Sequence, residues 1–178
     1  MTTAEQPSPE QLARREAALA KVRKYGDPVL RERARPLPEV DDAVRAQIAE
    51  MRRLLEDAME AGLAATQLGI LNRVFVYRVE PDGPIHALVN PELEWVGSDV
   101  EVGEEGCLSI PGIWIEVARR SRVRVRALDE HGEPVLIDAD MPEARVLQHE
   151  LDHLDGVLTL DRAEPADRRA ALRELRRR

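Results

Sequence analysis

The sequence predicts an α+β fold in which mostly antiparallel strands pack around a central metal-binding HExxH helix, with a further helix at the C-terminus. Three observations predict it. Apolar residues recur at helical spacing up to about residue 59, then give way from Arg73 to short runs of β-formers. Helices and strands thus fall in separate runs, which favours antiparallel pairing over the alternation that builds a parallel sheet. A later helical stretch carries His149-Glu150-Leu151-Asp152-His153. Two histidines four apart stack on one helical face, so both imidazoles can reach one cation.

Each element has its own local signal. Residues 1–20 are polar and rich in Ala, Glu and Arg, and are expected to form a mobile N-terminal extension or a loosely held helix. Pro36 and Pro38 break the chain before Asp41 and Asp42, either of which can cap a helix. Val44, Ile48, Met51, Leu55 and Met59 then mark an amphipathic helix to about residue 59. Strands are predicted at 74–77 and 85–89, joined by the turn Pro81-Asp82-Gly83-Pro84. Others are predicted near 94–96, 100–107, 114–117, 123–128 and 134–137, the last two joined through Glu130-His131-Gly132. Asp140 and Glu143 form a predicted capping box for the histidine helix, with Pro142 in its first turn and Gly156 just past its end. On that helix Val146, His149, Glu150 and His153 share one face, and Leu147, Leu151 and Leu154 form a neighbouring apolar stripe. Residues 164–178 read as a basic C-terminal helix or tail, leaving 21–163 as a single catalytic domain.

Composition narrows the class. A chain of 178 residues is one domain of ordinary size with room for a proper core. A net charge of −8 with 34% charged residues argues against a broad nucleic-acid face on the body of the domain, and no DNA partner is expected. Cys107 is the single cysteine, so no internal disulfide forms and the thiol is free for a metal. The first residues show no secretory signal, and no apolar run is long enough to span a bilayer. A cytoplasmic protein without a membrane partner is expected.

Glu150 lies beside the histidine face, placed to exchange a proton with water without acting as a ligand. Two imidazoles leave a divalent ion under-coordinated. In the HExxHxxGxxH arrangement the third ligand would fall at Thr159, which cannot replace an imidazole. Glu174 lies about twenty residues downstream, the spacing of a second protease arrangement, but sits among Arg173, Arg176, Arg177 and Arg178. Cys107 is the stronger candidate, because a thiolate binds zinc or ferrous iron and Cys-His-His leaves one position open.

Glu105-Gly106-Cys107-Leu108-Ser109 and Gln148-His149-Glu150-Leu151-Asp152-His153 resemble the second and third signature motifs of bacterial peptide deformylases. Gly62-Leu63-Ala64-Ala65-Thr66-Gln67 resembles most of the first, and the resemblance runs from about Lys21 to Asp161. It implies hydrolysis of the N-formyl group from the initiator methionine of nascent polypeptides, with release of formate. It implies one divalent metal held by Cys107, His149 and His153, ferrous iron first and zinc, nickel or cobalt as substitutes. Water on that metal would be the nucleophile and Glu150 the general base and acid. Gln67 and the Leu108 backbone N–H would stabilise the oxyanion, and Gly62, Ala61 and Val146 would meet the substrate. Glu105 would support the ligands, with Arg119 as a candidate partner.

One departure stands out. Glu60 and Ala61 precede Gly62 where the family usually has Gly-x-Gly around a branched residue. A wider methionine pocket is expected, with poorer binding of peptides that carry an acidic residue after methionine. Residues 164–178 hold six arginines against Glu164, Asp167 and Glu174, a net +3 that leaves −11 on the rest. These arginines either complement a helix dipole or form a handle for an anionic partner, which the resemblance suggests is the ribosome. Two other classes compete. An HExxH zinc peptidase would need a different third ligand, and a non-catalytic metal-binding domain would need a fourth. His86 and His131 lack partners at ligand spacing and read as structural or solvated. Trp95, Trp114, Arg122, Arg124 and Arg126 read as packing and a solvated face.

Overall fold

The computed structural model describes residues 6–177. Two helices, α1 (Pro9–Lys21) and α2 (Asp42–Ala58), precede seven strands. These are β1 (Gly62–Ala64), β2 (Val74–Tyr77), β3 (His86–Val96), β4 (Val100–Glu105), β5 (Ile115–Arg120), β6 (Arg122–Leu128) and β7 (Pro134–Asp140). Helices α3 (Glu143–Leu154), α4 (Thr159–Arg162) and α5 (Pro165–Leu175) close the chain. The strands form a five-stranded antiparallel sheet, β1-β2-β3-β6-β7, and a separate β4-β5 ribbon. The expected α+β class, with antiparallel sheets and a C-terminal helix, is what the chain adopts.

Period-2 alternation explains how α2 and α3 both find a core. Val74 and Val76 of β2, Ala87 and Val89 of β3 and Leu63 of β1 pack with Ile48, Met51 and Leu55 of α2. Their neighbours Phe75, Tyr77, Leu88 and Ala64 face the opposite side and pack with Leu147, Leu151 and Leu154 of α3. Strand β2 is therefore buried on both faces. Farther out, Val123, Val125 and Ala127 of β6 still face α3. Arg122, Arg124 and Arg126 turn to solvent and pair with Asp140, Asp138 and Glu92 at 2.9, 2.7 and 2.9 Å. A third cluster joins Ile113, Ile115 and Val117 to Leu160 and Ala171, which fastens α4 and α5 to β5.

Several local expectations are corrected. Of the two forms expected for residues 1–20, the helical one is present from Pro9 as α1, opened by a Ser8–Gln11 capping box and packed against α2 through Ala18 and Val22; residues 1–5 lie outside the described residues. Met59 is not core: α2 ends at Ala58, and Met59 takes a left-handed conformation and is 39% exposed. The strands expected at 85–89 and 94–96 are one bulged strand, β3. The Asp140–Glu143 capping box does not form. Strand β7 runs on through Asp140, whose carboxylate pairs with Arg122, while Glu143 accepts a 2.8 Å hydrogen bond from the Tyr77 hydroxyl. Nor are the tryptophans packed: Trp95 is 49% and Trp114 66% exposed. Gly156 does follow α3 with φ +73°, its Cα so close to the Arg31 carbonyl that a Cβ would lie 2.5 Å from that oxygen. Among the described residues no helix is long and apolar enough to cross a membrane.

Candidate metal centre

Helix α3 lies with one flank against the sheet and presents His149, Glu150 and His153 toward the end of β4. Immediately after Glu105 the chain leaves β4 and turns through Cys107, whose carbonyl accepts from the Ile110 N–H at 2.9 Å. The turn brings Cys107 Sγ to 3.2 Å from His153 Nε2, which lies 3.2 Å from His149 Nε2. The three ligand-type atoms all fall within 4.8 Å of one another. Two imidazole nitrogens and a thiol sulfur so close together could share one ion, and this donor set suits zinc or ferrous iron.

The surrounding groups orient these atoms. His149 Nδ1 donates to Glu105 Oε2 at 2.9 Å, which leaves Nε2 as the nitrogen free to bind. Glu105 is buried and also accepts a two-point bond from Arg119, at 2.8 and 2.9 Å, and one from Arg145 at 3.1 Å. Burial would raise its pKa, but the hydrogen bonds from Arg119 and His149 and the Arg119 charge bring it down to about 2. Arg119 reaches on to Asp152 at 2.6 Å, which also accepts from Arg162 of α4. Burial works against an ionised Cys107, yet the His153 charge and hydrogen bonds to both imidazoles hold the thiol well below its ordinary range. A thiolate is the form that binds metal.

Glu150 is buried beside this cluster, and its Oε2 has no protein partner. Burial pushes its pKa up to about 7 against the pull of the two imidazoles. Gly62 makes room for it, because a Cβ there would lie 2.0 Å from Glu150 Oε1. Gln67 sits in a short 3₁₀ turn (Ala65–Leu68) after β1. Its Oε1 accepts from the Ala64 N–H at 3.0 Å, which aims Nε2 at Ser109 Oγ, 3.2 Å away, and at Cys107 Sγ, 3.7 Å away.

A cavity of about 120 Å³ gathers these groups, lined by Gln67, Cys107, Leu108, His149 and Glu150, with Ala61, Gly62 and Val146 along the same wall. Eight of the nine site residues singled out from the sequence line this cavity, and the ninth, His153, lies beside it against Cys107 and His149. His86 lies apart, beside the Tyr77 ring, and His131 lies in an exposed turn. Arg145, Ser109, Asp152 and Arg162 were missed as parts of the site. Ser109 sits in the Glu-Gly-Cys-Leu-Ser motif, and Arg145 lies one helical turn before His149. Those were the available signals; nothing local marked Arg162.

The fold and the site define a small α+β protein in which three side chains able to hold a metal converge beside a buried carboxylate, an arrangement that suits a mononuclear metallohydrolase. The family model for polypeptide deformylase matches residues 19–169, and the chain belongs to that family. It is 43% identical over 159 residues to a peptide deformylase of Acidothermus cellulolyticus, covering 89% of this chain and 87% of that one. It is 45% identical over 148 residues to one from Thermotoga neapolitana, covering 83% and 89%. The peptide deformylase of Synechococcus elongatus, crystallised in complex with actinonin, superposes with a TM-score of 0.81 at 38% identity over 86% of this chain and 85% of that one. That of Legionella pneumophila gives 0.83 at 36% identity, covering 88% and 93%.

Proposed function

We propose that this chain removes the N-formyl group from the initiator methionine of nascent polypeptides, releasing formate, with Cys107, His149 and His153 of the HExxH helix and its neighbouring loop as metal ligands. The observation that carries this is the convergence of one Sγ and two Nε2 atoms beside an unpartnered Glu150 carboxylate oxygen in a chain of the deformylase family. A divalent ion bound there, ferrous iron in the first instance, would polarise the formyl oxygen and lower the pKa of the attacking water.

The protein's own groups do the rest. Glu150 takes a proton from the water as its oxygen bonds to the formyl carbon. The oxyanion that develops accepts from Gln67 Nε2, already aimed by the Ala64 N–H, and from the Leu108 backbone N–H. As the C–N bond breaks, Glu150 passes the proton to the leaving amine, and formate and the free N-terminus result. Ala61, Gly62 and Val146 form the wall against which the methionine side chain lies. We assign the catalytic unit to residues 21–163, place it in the cytoplasm, and regard the basic residues of 164–178 as a handle for the ribosome.

The metal assignment is tested with Cys107. A serine hydroxyl is a far poorer ligand at neutral pH, so Cys107→Ser should lose bound metal and deformylation together. Thiol reagents should label the metal-stripped wild type and spare the loaded protein. Equal labelling of both forms would remove Cys107 from the ligand set. Retained metal with cleavage of internal peptide bonds in the serine variant would instead favour a zinc peptidase with another third ligand.

A further inference from the structure

Glu60 lies on the wall of the catalytic cavity, yet none of the proposed chemistry uses it. It follows Met59, whose left-handed backbone (φ 57°) ends α2 and turns the chain back toward β1. Its side chain is 37% exposed and, among the described residues, its ion-pair partner is Arg15 of α1, 3.5 Å away. Arg15 is itself held, since its Nε donates to the Ala58 carbonyl at 3.2 Å. The other charged groups lining the cavity are committed inward. Glu105 and Glu150 are buried, and Arg145 is bound to Glu105 and to the carbonyls of Glu101, Gly103 and Val117. Burial raises the pKa of Glu60, and Arg15 beside it pulls the other way. Arg15 precedes the family-matched segment 19–169, so this contact joins that segment to a residue before it.

The cavity, at about 120 Å³, is partly open to solvent, and Glu60 is among the residues lining it. With the formylated residue in the cavity, the next residue of a peptide would pass the half-exposed Glu60 carboxylate, which Arg15 pairs at 3.5 Å. We propose that Arg15 and Glu60 form a charge filter at the mouth of the site, one that favours a cationic over an anionic side chain on the residue following the formylated one. The proposal rests on the deformylase assignment. A cationic side chain competes with Arg15 for the Glu60 carboxylate, whereas an anionic one meets that carboxylate first. Arg15 acts through Glu60 as a positioning residue: by neutralising part of the carboxylate it sets how strong the preference is. Exposed pairs of this kind contribute little each, so the effect is an expected ratio of roughly 2–5-fold, carried in KM and screened by salt.

The test compares formyl-Met-Lys, formyl-Met-Glu and formyl-Met-Ala peptides at low and high salt in the metal-loaded full chain. The variants are Glu60→Gln, Arg15→Gln and Arg15→Lys. The same peptides are titrated against metal-loaded Glu150→Gln protein, alone and combined with each variant, to obtain Kd. The Lys/Glu ratio should exceed unity in wild type, fall to unity or below in Glu60→Gln, rise in Arg15→Gln and return toward wild type in Arg15→Lys. Salt should shrink each departure. Should Arg15→Gln lower the melting temperature, Glu60→Gln and Arg15→Lys decide. A Lys/Glu ratio that is the same in Glu60→Gln and wild type, by KM and by Kd, overturns the filter. Absence of formate from all three peptides overturns the deformylase assignment instead, and the Kd ratios still judge the filter.

Discussion

Glu150 occupies a position where two constraints meet. It must be buried beside the imidazoles, and it must keep one oxygen free of protein donors. Gly62 satisfies the first by withholding a Cβ that would collide with the carboxylate. Replacing Glu150 with Gln leaves the three ligand-type atoms in place and removes the group proposed to carry the proton. Metal content should stay at that of wild type while turnover falls by about 10²–10⁴. Near-normal turnover by a metal-replete Glu150→Gln protein would take the residue out of the mechanism. At this scale the sequence was most legible, because the groups that act are packed into short motifs: His149, Glu150 and His153 within one turn and a half, and Cys107 beside Leu108. The network behind them was not. Arg119 comes from β5, Arg145 and Asp152 from α3 and Arg162 from α4, and only folding brings those charges together.

That network gives the elements around the site their rigidity. Arg119 is buried and ties Glu105, at the end of β4, to Asp152 on α3. Breaking a buried ion pair by removing one partner strands the other charge, at a typical cost of about 3–5 kcal/mol. Arg119→Met, which keeps the apolar stem, should therefore lower unfolding free energy by that amount and loosen His149 through Glu105. Denaturant unfolding measures it, and a change below about 1 kcal/mol would show that the network is not what holds β4 to α3. The elements were read well where alternation or helical spacing was long, as in α2, β2 and α3. Strand β1 escaped because Gly62-Leu63-Ala64 lacks β-branched residues and pairs only through its register with β2. The capping box failed because Asp140 found Arg122 across the sheet, a tertiary partner that no local pattern announces.

At the scale of the molecule, α5 is both packing and charge. Ala171, with Leu172 and Leu175 half-buried, covers Ile113, Ile115 and Val117, whereas Arg169, Arg173, Arg176 and Arg177 face solvent. Deleting 164–178 should expose that cluster and cost about 2–4 kcal/mol. Changing Arg169, Arg173 and Arg176 to Ala should leave stability and peptide turnover alone, but weaken ribosome binding and flatten its salt dependence. Unchanged, salt-insensitive binding would leave α5 as packing alone. The acidic remainder of the surface makes this basic segment an asymmetry that composition already revealed, though its docking against β5 did not follow from charge.

The central claim is the reaction, and formate is its direct witness. Anaerobically purified, ferrous-loaded full-length protein is incubated with formyl-Met-Ala-Ser and with the unformylated Met-Ala-Ser. The expected result is formate in equal amount to newly exposed amino termini from the first peptide, no cleavage of the second, and loss of both signals when the metal is chelated. Cleavage at an internal peptide bond without formate, in either peptide, would contradict the assignment and return the Cys107, His149 and His153 site to a peptidase.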